Sequence, residues 1–109
     1  MSLKTRRRSQ ARVFAALGDT TRLELVTRLG SGRPHSITEL TKGSRVTRQA
    51  ITKHLRVLED AGIVHGVPSG REKRFEFDPQ PMEEIKQYLD LVSEQWDQTL
   101  ARLKSFVEE

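Results

Sequence analysis

Val46-Thr47-Arg48-Gln49-Ala50-Ile51-Thr52-Lys53-His54-Leu55-Arg56-Val57-Leu58-Glu59-Asp60-Ala61-Gly62 decides how the rest of this chain is read. Ile51, Leu55 and Leu58 fall at i, i+4 and i+7, which makes one apolar stripe on one helix. Thr47 suits the N-cap, and Gly62 stands where a left-handed stop belongs. At about 100° per residue, Gln49, Lys53 and Arg56 project from the side opposite Ile51, with Arg48 and Thr52 beside them. That face carries donors and cations and a single acid, Asp60, near its far end. It suits a DNA major groove, where Arg, Lys and Gln meet base edges and phosphates. Thr47, Arg48, Gln49, Thr52, Lys53, His54 and Arg56 are the expected contacts from this helix. Its N-terminal part is expected to read bases and Arg56 to meet phosphate, which positions without specifying.

Upstream, Ser36-Ile37-Thr38-Glu39-Leu40 opens a short helix with a capping box of Ser36 and Glu39. Gly43-Ser44-Arg45 then turns the chain into Thr47. A short helix, a glycine turn and a longer helix make a helix-turn-helix. Before it lie two more helices. One is expected over Arg6–Leu17, with Val13, Ala16 and Leu17 on one face and a basic Arg6-Arg7-Arg8 run at a flexible end. The other is capped by Asp19, with Leu23, Val26 and Leu29, and Leu25 with them, as its buried side.

Downstream, Ile63–Val67 and Arg74–Phe77 flank the turn-rich Pro68–Lys73, which is the pattern of a β-hairpin. Arg71, Lys73 and Arg74 at its tip make it a basic wing, expected to touch phosphates or the minor groove. Pro81 then suits the first turn of a helix of about 25 residues. Met82, Ile85, Leu89, Val92 and Trp96 recur along it at steps of three and four, and Leu100, Leu103 and Val107 extend the seam. A helix so long cannot be covered by so small a body, so its expected partner is a second copy of itself. The fold class is therefore mainly α with a small two-stranded hairpin: a winged helix-turn-helix body over residues 1–80 and a dimerisation helix over 81–109, one structural domain overall.

Charge supports this division. Residues 1–74 hold 16 Lys/Arg against 6 Asp/Glu, and residues 75–109 hold 3 against 9, so a +10 body joins a −6 segment. Such an asymmetry points to a polyanion bound by one part of the molecule. The 109 residues contain no cysteine, so disulfides and thiolate metal sites are excluded. His35, His54 and His65 lack the spacing of a metal site, and no phosphate-cradling or nucleophile motif occurs. Neither cofactor, metal nor enzymatic activity is expected. No apolar run reaches the ~20 residues of a membrane span. The N-terminal charges lack the apolar run of a signal peptide, so a cytoplasmic location without membrane contact is expected.

Ala16-Leu17-Gly18-Asp19-Thr20-Thr21-Arg22-Leu23, Ile37-Thr38-Glu39-Leu40, Gln49 to Val64 and Gly70-Arg71-Glu72-Lys73-Arg74 together closely resemble the ArsR family of bacterial winged-helix repressors. The resemblance covers about residues 11–96. It implies a homodimer paired through the first and last helices, with Val13, Ile85, Leu89, Val92, Trp96 and Leu100 at the interface. It also implies repression from an inverted-repeat operator in double-stranded DNA. Metal-sensing members carry a Cys-x-Cys-Asp-Leu pattern on the third helix; Ser36-Ile37-Thr38-Glu39-Leu40 stands there instead, and no histidine follows His65. The chain thus resembles the metal-free group, whose effectors vary. From a different class, a winged-helix module that binds an acidic protein through the same basic face is the alternative; the donor-rich helix and basic wing favour DNA.

Overall fold

Side-chain caps start the first four helices in the computed structural model, which describes residues 2–108; the terminal Met1 and Glu109 of the two expected units lie outside them. Ser2 accepts the Thr5 amide at 3.1 Å and starts α1 (Leu3–Leu17). Asp19 accepts the Arg22 amide at 3.1 Å and starts α2 (Thr20–Leu29). Ser36 accepts the Glu39 amide at 3.1 Å before α3 (Ile37–Thr41), and Thr47 accepts the Ala50 amide at 3.2 Å before α4 (Arg48–Asp60). Each cap satisfies one amide that the first helical turn leaves unpaired. At the far end of α4 the chain reverses through Gly62 at φ +77°, and the Ile63 amide reaches back to the Leu58 carbonyl at 3.0 Å. A side chain there would be strained in this left-handed conformation.

The wing is β2 (Val64–Ser69) and β3 (Glu72–Phe77), antiparallel, with Ser69 opposite Glu72 and a tip of only Gly70 and Arg71. It gains a third strand that the sequence did not announce. β1 (His35–Ser36) pairs antiparallel with β3, His35 opposite Phe75 and Ser36 opposite Arg74, giving the order β1-β3-β2. The expected two-stranded wing is thus a three-stranded sheet, anchored to the start of α3. Asp78 accepts the Gln80 amide at 3.0 Å as α5 begins. α5 runs Pro79–Glu108, 30 residues, starting two residues before the expected boundary.

Val13 and Ala16 of α1, Leu25 and Leu29 of α2, Leu40 of α3, Ile51, Leu55 and Leu58 of α4, Ile63, Val64 and Phe75 of the wing, and Ile85 of α5 form one core. Two expectations are corrected. α1 begins three residues early, so Arg6-Arg7-Arg8 lies inside the helix rather than at its flexible end, and the Arg7 guanidinium stacks 4.7 Å from the Tyr88 ring centre on α5. Leu23 is exposed. The inward face of α2 runs through Leu25 and Leu29, with Val26 packed against the core as expected, and Leu23 lies on the other side of the helix.

Candidate nucleic-acid interface

Burial of Ile51, Leu55 and Leu58 fixes how α4 is rotated about its own axis, and so which side chains it presents outward. Gln49, Lys53 and Arg56 stand exposed on the opposite face, and among the described residues none of the three makes a side-chain hydrogen bond or ion pair. Their polar heads are thus available to a partner. Arg48 is exposed too, but its Nη1 donates to Thr38 Oγ1 of α3 at 2.9 Å, which braces the two helices of the motif. Thr47 is the cap of α4. Thr52 Oγ1 donates to the Arg48 carbonyl at 2.9 Å, a local bond that leaves the hydroxyl free only to accept.

His54 turns the other way. Its Nδ1 lies 3.1 Å from Arg22 Nη1 and 3.8 Å from Asp19 Oδ2, behind the presented face. His54 is thus half-buried on the flank of the apolar stripe, engaged within the chain where the sequence expected a contact to DNA. Asp19 is held below the usual carboxylate range, first by the Arg22 amide it accepts and then by the charges of His54 and Arg22.

In the wing, the three cations divide. Arg71 occupies the tip and joins no ion pair among the described residues. Lys73 instead lies back over the sheet: its Nζ is 3.6 Å from Glu59 Oε2 of α4 and 5.2 Å from the Phe75 ring centre. The same Glu59 oxygen accepts the Gly66 amide at 3.1 Å. Gly66 leaves room for this arrangement, since a Cβ there would meet the end of the Lys73 side chain and make it shift. Arg74 Nη1 pairs with Glu39 Oε1 at 3.2 Å, and Glu39 also meets Arg33 at 3.7 Å. The Glu39 carboxylate thus holds the wing to α3 rather than completing the expected capping box.

Lys42 and Arg45, which sequence reasoning left out, lie exposed on either side of the Gly43-Ser44 turn just before α4, and neither joins an ion pair among the described residues. The glycine turn itself was the available signal.

The expected dimer residues fall into two groups. Val13 and Ile85 are buried within the chain's own core. Leu89, Trp96 and Leu100 are 49%, 62% and 55% exposed, with Val92 half-buried between them and Leu103, Phe106 and Val107 exposed beyond. An apolar stripe thus runs along the outer two-thirds of α5.

Comparison with known proteins agrees with this geometry. Residues 10–67 match the family described as "Helix-turn-helix domain". The chain is 36% identical over 83 residues to the HTH-type transcriptional regulator Rv2034 of Mycobacterium tuberculosis, covering 76% of this chain and 77% of that protein. Among solved structures it is similar to an ArsR-like transcriptional regulator from Rhodococcus sp. RHA1, with TM-score 0.78 and 37% identity over 91% of this chain and 92% of that one. A homodimeric winged helix-turn-helix DNA-binding domain from Mycobacterium bovis shares the fold, with TM-score 0.65 at 18% identity over 87% and 88% of the two chains.

Proposed function

This chain belongs to the ArsR family of winged helix-turn-helix DNA-binding transcriptional regulators, and from that premise we propose that it is a homodimeric repressor of an inverted-repeat operator. The free row Gln49, Lys53 and Arg56 on α4 carries the reading: these side chains face outward, unengaged, on a helix whose other side is locked in the core. Gln49 and Lys53 read base edges, Arg56 and the wing-tip Arg71 hold phosphates, and Lys42 and Arg45 add charge at the mouth of the groove. The exposed stripe of α5 supports pairing with a second copy, as does the homodimeric state of the Mycobacterium bovis domain. Pairing sets two recognition helices one helical turn of DNA, about 34 Å, apart. The lack of thiols, and of histidine after His65, supports regulation without a cysteine-based metal sensor.

Selection of bound duplexes from a random pool at near-physiological salt tests the proposal. An inverted repeat with half-sites about one turn apart is the expected result. Recovery of unrelated sequences would refute operator recognition and favour a protein partner for the basic face.

A further inference from the structure

One buried polar side chain of α1 is only half used. Gln10 is 6% exposed, and its Oε1 accepts Arg7 Nη1 at 2.7 Å. Arginine has only donors, so the oxygen of this amide must face it and the nitrogen must turn away. Among the described residues Gln10 Nε2 donates to nothing. Yet no side-chain nitrogen or oxygen sealed from solvent lacks a partner among them, so Nε2 is reached from the groove that Gln10 lines. That groove runs between α1 and α5 and holds about 290 Å³, near the lower end of small-molecule pockets.

Its α1 wall carries two cations. Arg6 is exposed, and its guanidinium makes no hydrogen bond or ion pair among the described residues. Arg7 is held between the Gln10 amide and the Tyr88 ring, which Phe14 meets edge to face at 6.0 Å. Across from them α5 contributes Glu84, the one acid of the lining. Two cations against one acid leave a single positive charge over, which suits a monoanion. Leu3, Leu91 and the Tyr88 ring supply apolar wall, so the body that accompanies the charge is apolar. We propose that this groove binds a small organic monocarboxylate. Its carboxylate accepts from Gln10 Nε2, Arg6 and Arg7, in charge-assisted hydrogen bonds about twice as strong as neutral ones. Its apolar body lies on Leu3, Tyr88 and Leu91. Gln87 and Leu91 each stand two residues from Leu89, about 160° round α5, so pairing through the exposed stripe leaves the groove open. The inference does not depend on the reading of the α4 face.

The test titrates the full chain with benzoate, phenylacetate and octanoate in a calorimeter. Benzyl alcohol supplies the body without the charge, and acetate the charge without the body. Saturable binding with Kd on the order of 1 mM or tighter is expected for at least one of the three, the scale for so small a ligand. Benzyl alcohol and acetate should bind at least about tenfold more weakly. Gln10→Leu keeps the bulk but removes the donor, and should weaken binding at least about tenfold, the scale of one hydrogen bond to a charged group. Arg6→Gln, at an exposed position outside the core, should weaken it several-fold in a chain whose folding is not in question. Glu84→Gln should tighten it. Lys86→Gln, exposed on α5 but outside the lining, should leave it unchanged. Backbone amide shifts on titration should cluster in residues 3–10 and 84–91. The proposal is overturned by absence of saturable binding, by equal binding of benzyl alcohol, or by affinities that Gln10→Leu and Arg6→Gln leave unchanged. Shifts centred on Trp96 or on α4 overturn it as well.

Discussion

Removing Arg71 or Lys73 takes the same charge from the wing, yet the structure assigns them different consequences. Arg71 sits at the tip with no ion-pair partner among the described residues, whereas the Lys73 ammonium lies 3.6 Å from the Glu59 carboxylate. A cation that neutralises a phosphate releases condensed counterions, and each such contact adds about 0.9 to the slope of log affinity against log salt. The proposed dimer carries two wings, so Arg71→Ala should flatten the slope by about 1.8 and, near 0.1 M salt, weaken binding by about 60-fold, on any sequence. Lys73 is drawn back over the sheet toward Glu59 and away from the tip, so Lys73→Ala should flatten the slope by less than Arg71→Ala does. Fluorescence anisotropy of a labelled duplex from 50 to 300 mM salt, on the order of the range where this term acts, reads both slopes. Glu59→Gln, which frees Lys73, should steepen the slope. Equal flattening by Arg71→Ala and Lys73→Ala would refute the reasoning, because it would put both ammonium and guanidinium on the phosphates.

Three other outcomes follow from the same geometry. Leu55→Ala, at a fully buried position of α4, should lower stability by about 2–5 kcal/mol in urea unfolding, while the exposed Val57→Ala stays within about 0.5 kcal/mol. Trp96→Glu combined with Leu100→Glu should leave the helical circular dichroism of the body intact but shift sedimentation to the monomer; a persisting dimer would remove α5 as the seam. Asp78 is held below its usual 3.8, first by the Gln80 amide and then by His65 at 2.7 Å. A carboxylate lowered on folding stabilises above its unfolded value and loses that contribution as pH falls through the folded one. Asp78→Ala should therefore cost stability at pH 6 and show a shallower stability loss between about pH 4 and 2 than the native chain.

Much of this architecture was legible because it is local. The α4 stripe repeats at helical spacing, its cap and its glycine stop bracket it, and Asp19 and Ser36 announce α2 and α3 just as plainly. What escaped was decided by partners distant along the chain. β1 is two residues long and shows no alternation; it is a strand only because Phe75 and Arg74 lie opposite. Leu23 and Leu25 look equally buriable in the sequence, and only the packing of α2 against its neighbours decides that Leu25 goes in and Leu23 stays out. The functional side chains divide the same way. Gln49, Lys53 and Arg56 follow from helical phase alone, whereas the inward turn of His54 and the engagement of Lys73 and Arg74 need Arg22, Glu59 and Glu39.

That division changes how the basic body is understood. A net +10 over residues 1–74 suggests a surface of free cations, but its acids are placed where they consume several of them. Glu39 takes Arg74 and Arg33, and Glu59 takes Lys73 together with the Gly66 amide. Each of these acids joins two elements of the reading head. The recognition helix is consequently held at three heights: by Arg48 to Thr38 at its start, by His54 to Arg22 in the middle, and by Glu59 to the wing near its end. Hydrogen bonds weaken steeply as their angles depart from linear, so a helix that reads base edges gains discrimination from fixed rotation and not from added charge. In this chain the cations engaged by Glu39 and Glu59 orient α4 and the wing, and the proposed contacts fall to those left free on the presented face.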